Sequence, residues 1–297
     1  MRKLVLLAVV GLVAQLVDGS LGMGYGVTSS TLLVAGGLGP AAASAAIHFA
    51  EIGTSLVSGA SHHALGNTDW RTVSILAVPG FVGAFLGATL LAGLDADRAV
   101  PVVATVLLVL GAYVTLRFLS VSGRLRFQDR PSKRFLMPMG LVAGTLDALG
   151  GGGWGPVGTT SLLSSGRLEP RKVVGSVDTA EFVVAVGGSL GFLLALGRQG
   201  IDWAFVAALL LGGAVAAPVA AVLARYLPAR VLGVAAGGVI VLTNVKTLAE
   251  SQGASGITVG LLASIVFTLW VLWIAWAVKL EQGAAGAVLG GYVHRQI

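Results

Sequence analysis

The chain has 297 residues, 56% of them hydrophobic and only 11% charged, with a mean hydropathy of +0.90; soluble domains carry about a quarter charged residues, so a water-soluble globule is excluded. There is no cysteine, which removes disulfides, thiolate metal sites and cysteine nucleophiles. The formal charge of +6 sits in a few short loops, a sign of membrane topology rather than of nucleic-acid binding.

The first predicted element, 3–36, is an apolar stretch behind Arg2 and Lys3, the outline of a secretory signal. A cleaved signal has no reason to recur in the middle of the chain, and this one does. Gly11-Leu12-Val13-Ala14 returns as Gly140-Leu141-Val142-Ala143, Asp18 as Asp147, and Gly22, Gly24 and Gly26 as Gly151, Gly153 and Gly155, always 129 residues apart. Tyr25 is matched by Trp154. Downstream, Ala50-Glu51 pairs with Ala180-Glu181, Asp69-Trp70 with Asp202-Trp203, Gly80 with Gly213 and Arg98 with Arg230. Chance explains shared alanines and leucines, but not an aspartate followed by three alternating glycines twice in the same order.

Membrane helices need roughly 20 apolar residues. The predicted spans are 40–62, 71–94, 98–118, 172–197, 203–225, 230–249 and 257–280. Segments 3–36 and 134–166 differ: dense glycine at 22–26 and 150–155 cannot hold a continuous helix. The basic loop with Arg117, Arg124, Arg126, Arg130, Lys133 and Arg134 marks the cytoplasmic side. If both broken segments are re-entrant, Arg71, Arg167, Arg171, Lys172, Arg225, Arg230, Lys279 and Arg295 join that side, leaving Arg2, Lys3, Arg98, Arg198 and Lys246 opposite. Full crossing evens the split. The expected fold is therefore an all-α integral membrane protein of two inverted repeats. Each repeat is a broken re-entrant helix pair plus three transmembrane helices, and one extra C-terminal helix makes about seven full crossings. The divisions are 1–120, a basic cytoplasmic linker 121–133, 134–250, and the extra helix with its tail, 251–297.

Irregular backbone at membrane depth is tolerated only inside protein or along an aqueous cavity, so the two breaks are expected to meet. The short helices after them, from Val27 and from Pro156, would aim N–H groups and hydroxyls at the centre, a setting for a small anion. Pro156 suits a first helical position. The candidate substrate residues are Gly22, Gly24, Tyr25, Gly26, Thr28 and Ser29 in one half. In the other they are Gly151, Gly152, Gly153, Trp154, Gly155, Thr159, Thr160 and Ser161. Tyr25 and Trp154 read equally as gates or as core aromatics.

Carboxylates in apolar segments are costly and point to function. Asp18 and Asp147, each just before a break, are read as structural, bonding freed backbone N–H groups. Glu51 and Glu181, at matched positions, are the candidates for coupling or gating, with protons as the expected coupling ion. His48 lies one turn before Glu51, with Asp178 at its matched position; a satisfied buried histidine is the plainer reading of it. His62-His63 reads as a solvated helix end, Lys246 as snorkelling beside Asn244 near the outer end of a span, and Trp270, Trp273 and Trp276 as an interfacial or lipid-facing stripe.

The twice-repeated Gly-Leu-Val-Ala…Asp…Gly pattern, with its specific copy Gly151-Gly152-Gly153-Trp154-Gly155-Pro156, resembles the TauE/SafE family, also called sulfite exporters, up to about Ala249. The first copy, with Met23 and no proline, departs from it. The resemblance implies passage of sulfite or a small organosulfonate across the bacterial inner membrane. The expectation is a secondary transporter working by alternating access, without cofactor or metal, whose partners are the anion, the bilayer and protons. An anion channel and a transporter of a different small anion are the rivals. Against an enzyme stand the missing cysteine and the lack of a His/Asp/Glu set at metal-ligand spacing; no serine nucleophile is expected either.

Overall fold

The computed structural model describes residues 2–120, 130–165, 167–223 and 229–293. These form eleven α-helices, one short 3-10 turn at Arg198–Gly200 and no strand. In order they are α1 (Arg2–Leu21), α2 (Tyr25–Ala35), α3 (Pro40–Ala64), α4 (Trp70–Ala92), α5 (Ala96–Ser120), α6 (Lys133–Gly150), α7 (Trp154–Ser165), α8 (Pro170–Leu196), α9 (Trp203–Leu223), α10 (Ala229–Ser251) and α11 (Gly256–Val293). Arg124, Arg126, Arg225 and Arg295, used above to assign sides, lie outside the described residues.

Six helices among the described residues are long and apolar enough to cross a membrane: Lys3–Leu21, Trp70–Ala92, Arg98–Ser120, Arg171–Leu196, Trp203–Leu223 and Gly256–Gly283. Five match expected spans. The sixth is α1, whose 20 residues run about 30 Å at 1.5 Å each, so the first broken segment begins with a membrane-length helix. Exposed Val78, Leu86, Leu194, Leu211, Val215 and Leu272 on the outer faces would be a liability in water and suit lipid.

Both breaks are three residues long. Gly22-Met23-Gly24 separates α1 from α2, and Gly151-Gly152-Gly153 separates α6 from α7. At the matched positions Gly22 and Gly151 the chain takes φ of 67° and 70°, a left-handed helix ending that favours glycine. Each short helix starts two residues earlier than expected. Pro156 is therefore the third residue of α7, not its first; it still lies in the turn where a missing N–H costs nothing.

Small residues set the packing. Gly11 of α1 lies against the Leu209 carbonyl of α9, and Gly140 of α6 against the Leu76 carbonyl of α4. Farther along, Gly19 meets Ala220 and Gly144 meets Gly80, so each pair runs parallel. Matched helices instead meet antiparallel. In α3 and α8, Gly59 faces Thr179 and His48 faces Gly188; in α5 and α10, Gly233 faces Phe118 and Gly111 faces Ile240. Helix α4 runs parallel to α8, with Gly187 on Phe81 and Gly191 on Phe85.

Helix α11 stays at the periphery, its membrane window only 6% buried. Of its tryptophans, Trp276 is exposed as expected. Trp270 packs on Gly238 and Trp273 against the cluster around Phe118 and Val234, seating α11 on α10 and α5 rather than facing lipid.

Candidate substrate and coupling site

The two breaks touch. A Cβ on Gly26 would run into Gly151 and Gly152, one on Gly152 into Gly26 and Val27, and one on Gly155 into Gly22 and Met23. Space beside these glycines is thus filled by the backbone of the opposite break, and Gly153 is closed against Leu146 and Asp147 of the preceding helix α6. Thr159 of α7 donates to the Gly22 carbonyl across the crossing. Thr160 bonds Tyr113 Oη at 2.9 Å and, within its helix, the Pro156 carbonyl. Ser161 is half-buried. On α2 the hydroxyls of Thr28, Ser29 and Ser30 are buried with no hydrogen-bond partner among the described residues. Ser30 was not singled out by its sequence, although it continues the same hydroxyl run.

Tyr25 and Trp154 are fully buried and anchored. The Tyr25 hydroxyl donates to the Leu209 carbonyl at 3.2 Å, and Trp154 Nε1 donates to the Val177 carbonyl at 3.0 Å. Asn244 is buried too, bonding Thr31 of α2 at 3.0 Å, while Lys246 is exposed and 3.9 Å from Glu250.

Asp147 bonds a backbone N–H freed at its break and also faces the opposite half. One oxygen of Asp147 accepts from the Trp154 N–H at 3.0 Å, capping α7; Asp18 is buried at the matched position. The positive end of α7 is thereby held by a carboxylate of the chain itself. The second oxygen of Asp147 faces His48 Nε2 at 3.3 Å. His48, Glu51 and Asp147 bring one donor atom each within 4.8 Å of the others, and so do Asp18, Asp178 and Glu181. All six are buried. Each set joins the i, i+3 pair of α3 or α8 to the break aspartate of the opposite half, so the expectation that no His/Asp/Glu set has metal-ligand spacing is corrected. The spacing arises between helices, where sequence separation says nothing about it.

The sets are furnished differently. Ser55 donates to Glu181 at 3.0 Å, Ser58 donates to Asp178, and His62 Nε2 lies 3.5 Å from Asp178. His62 is fully buried, with Asn67 at 3.3 Å from its Nδ1, which corrects its reading as a solvated helix end; only His63 is exposed, edge-on to Trp70. The signal was present in the spacing of Ser44, His48, Glu51, Ser55, Ser58 and His62, one polar stripe along α3. A cavity of about 320 Å³ between α3, α4 and α8, lined by Ser55, Gly59, His63, Trp70, Thr179 and Phe182, reaches Ser55 and through it Glu181. Gly187–Gly191 has Gly-x-Ser-x-Gly spacing, but it lies inside α8, not at the strand-to-helix turn a serine nucleophile needs.

Residues 7–247 match the family described as Sulfite exporter TauE/SafE. The chain is 45% identical over 280 residues to a Bacillus subtilis protein named "Probable membrane transporter protein YtnM", covering 91% of each. No solved structure matches the chain.

Proposed function

The chain belongs to the sulfite exporter TauE/SafE family of multi-pass membrane proteins, and from that premise we propose that it is a secondary transporter moving a small anion, sulfite or a small organosulfonate, by alternating access across the bacterial inner membrane. The observation that carries this reading is the crossing of two helix breaks at the centre of the fold beside the buried, unpartnered hydroxyls of Thr28, Ser29 and Ser30. Irregular backbone of this kind belongs to transport pathways. The Asp147 cap and the Thr159 bond engage donors on the α7 side, so the α2 hydroxyls and the break backbone are the groups left to hold an oxyanion.

Rocking of one half against the other separates the breaks and opens the glycine backbone to the substrate. Antiparallel packing of matched helices supports inverted halves divided at 1–120 and 134–250. The 117–134 loop and the C-terminus are then cytoplasmic. Glu51 and Glu181 carry the coupling ion, with His48 and Asp178 beside them. The closed crossing favours a carrier over a channel.

Purified protein in liposomes tests this. Saturable sulfite or sulfonate flux with counterflow, lowered about tenfold in Ser29→Val by the loss of roughly 1.4 kcal/mol, is the expected result. Flux linear in concentration would identify a channel, and no flux of any sulfur oxyanion would overturn the substrate class.

A further inference from the structure

We propose that His48, Glu51 and Asp147 form a binding site for one divalent transition-metal cation of mixed nitrogen and oxygen preference, such as Mn²⁺, Co²⁺ or Zn²⁺. The site is independent of which anion is carried.

Tautomer geometry comes first. His48 Nδ1 lies 2.9 Å from the Ser44 carbonyl. A carbonyl only accepts, so Nδ1 bears a proton, and loss of the Nε2 proton would turn a lone pair outward there for a metal. That arrangement, with one ring nitrogen tied to a backbone carbonyl and the other presented, is how metal-binding histidines are oriented. Nε2 stands 3.3 Å from Asp147 Oδ2, yet the two are not aligned as a hydrogen bond. About 3.3 Å is also the edge of a tetrahedron whose bonds are roughly 2.0–2.1 Å. Asp147 is itself oriented from behind, since its other oxygen accepts from Trp154.

Glu51 supplies the second line. It is 1% exposed, and neither of its oxygens has a hydrogen-bond partner among the described residues. A buried carboxylate left bare is expensive. The register that brings Ser55 to Glu181 and Ser58 to Asp178 sets Ala185 opposite Glu51, where no donor is available. A cation between the three groups satisfies Glu51, Nε2 and Oδ2 together.

Charge selects the class. A neutral imidazole and two carboxylates sum to minus two, which a dication cancels inside a low-dielectric core. Nitrogen beside oxygen donors favours a transition metal over Ca²⁺ or Mg²⁺. The matched set Asp18, Asp178 and Glu181 holds three carboxylates and no nitrogen among its members, and Ser55 and Ser58 already donate to two of them.

The test is Co²⁺ titration of the purified full-length protein after chelator treatment, read by visible d–d absorption. The expected result is a saturable band near one Co²⁺ per chain, bleached by Zn²⁺ and indifferent to Ca²⁺, with affinity lowered at least about 100-fold in His48→Gln and Glu51→Gln. No band, or a band unchanged in both variants, overturns the site and leaves protons as the compensating charge. Should a variant fail to fold, X-ray absorption of the Zn²⁺-loaded wild type decides alone. One imidazole in the coordination shell supports the site, and an all-oxygen shell overturns it.

Discussion

Helices α3 and α8 carry matched charges on unlike surroundings. Along α3 the polar stripe reads Ser44, His48, Glu51, Ser55, Ser58, His62; the matched positions of α8 are Val174, Asp178, Glu181, Ala185, Gly188, Phe192. Because the helices pack antiparallel, donors on α3 reach the carboxylates of α8, whereas α8 offers α3 only small or apolar side chains. Gly188 makes room for the His48 ring, and Phe192 meets it edge-on with centroids 5.8 Å apart. Two sets that look equivalent in the repeat thus differ in one member above all: Glu181 accepts from Ser55, whereas both oxygens of Glu51 lack a donor among the described residues. Buried polar groups need partners, so the bare set is where an external positive charge belongs.

The strongest blow to this comparison removes the frame that holds both sets. Gly152→Val puts side-chain atoms into the backbone of Gly26 and Val27; overpacking usually costs about 1–3 kcal/mol, and main chain cannot yield as a side chain does. No monodisperse protein is expected by size exclusion in detergent, and a well-behaved, active variant would mean that the crossing is not a fixed contact. Next, Glu51→Gln is expected to lower flux in liposomes about tenfold or more, roughly 1.4 kcal/mol of barrier, and to flatten its pH dependence. Glu181→Gln, which keeps an acceptor for Ser55, is expected to lower it less. Wild-type rate and pH dependence in both variants would end the coupling role of these glutamates.

Two smaller changes sharpen the contrast. Ser58→Ala strips the donor from buried Asp178 and should destabilise by about 1–3 kcal/mol, seen as a lower thermal midpoint in detergent. Ala185→Ser supplies α8 with the counterpart of Ser55. A gain of about 1 kcal/mol is expected from a new bond to Glu51. A loss instead would show that position 185 does not face Glu51 and that the two sets are not matched in register.

Parts of the site were readable in one dimension. Asp18 and Asp147 were assigned to the breaks because each stands a few residues before dense glycine, and the Asp147–Trp154 bond has that origin. The pairing of Glu51 with Glu181 and of His48 with Asp178 followed from the repeat. His62 was misread because adjacent histidines at the basic end of a helix look solvated; the 3-4 spacing of the α3 stripe was the better guide. Asp147 and His48, about a hundred residues apart in the chain, meet only through the exchange of contacts between halves.

Membrane class, the glycine breaks and the internal repeat were determined by sequence alone, since hydropathy, backbone freedom and self-similarity belong to short stretches of chain. Tertiary structure decided which carboxylates share a desolvated space, which glycines admit a backbone and which hydroxyls go without partners. Those properties depend on helix direction and register across the crossing, where packing between distant segments sets distances that no local pattern encodes.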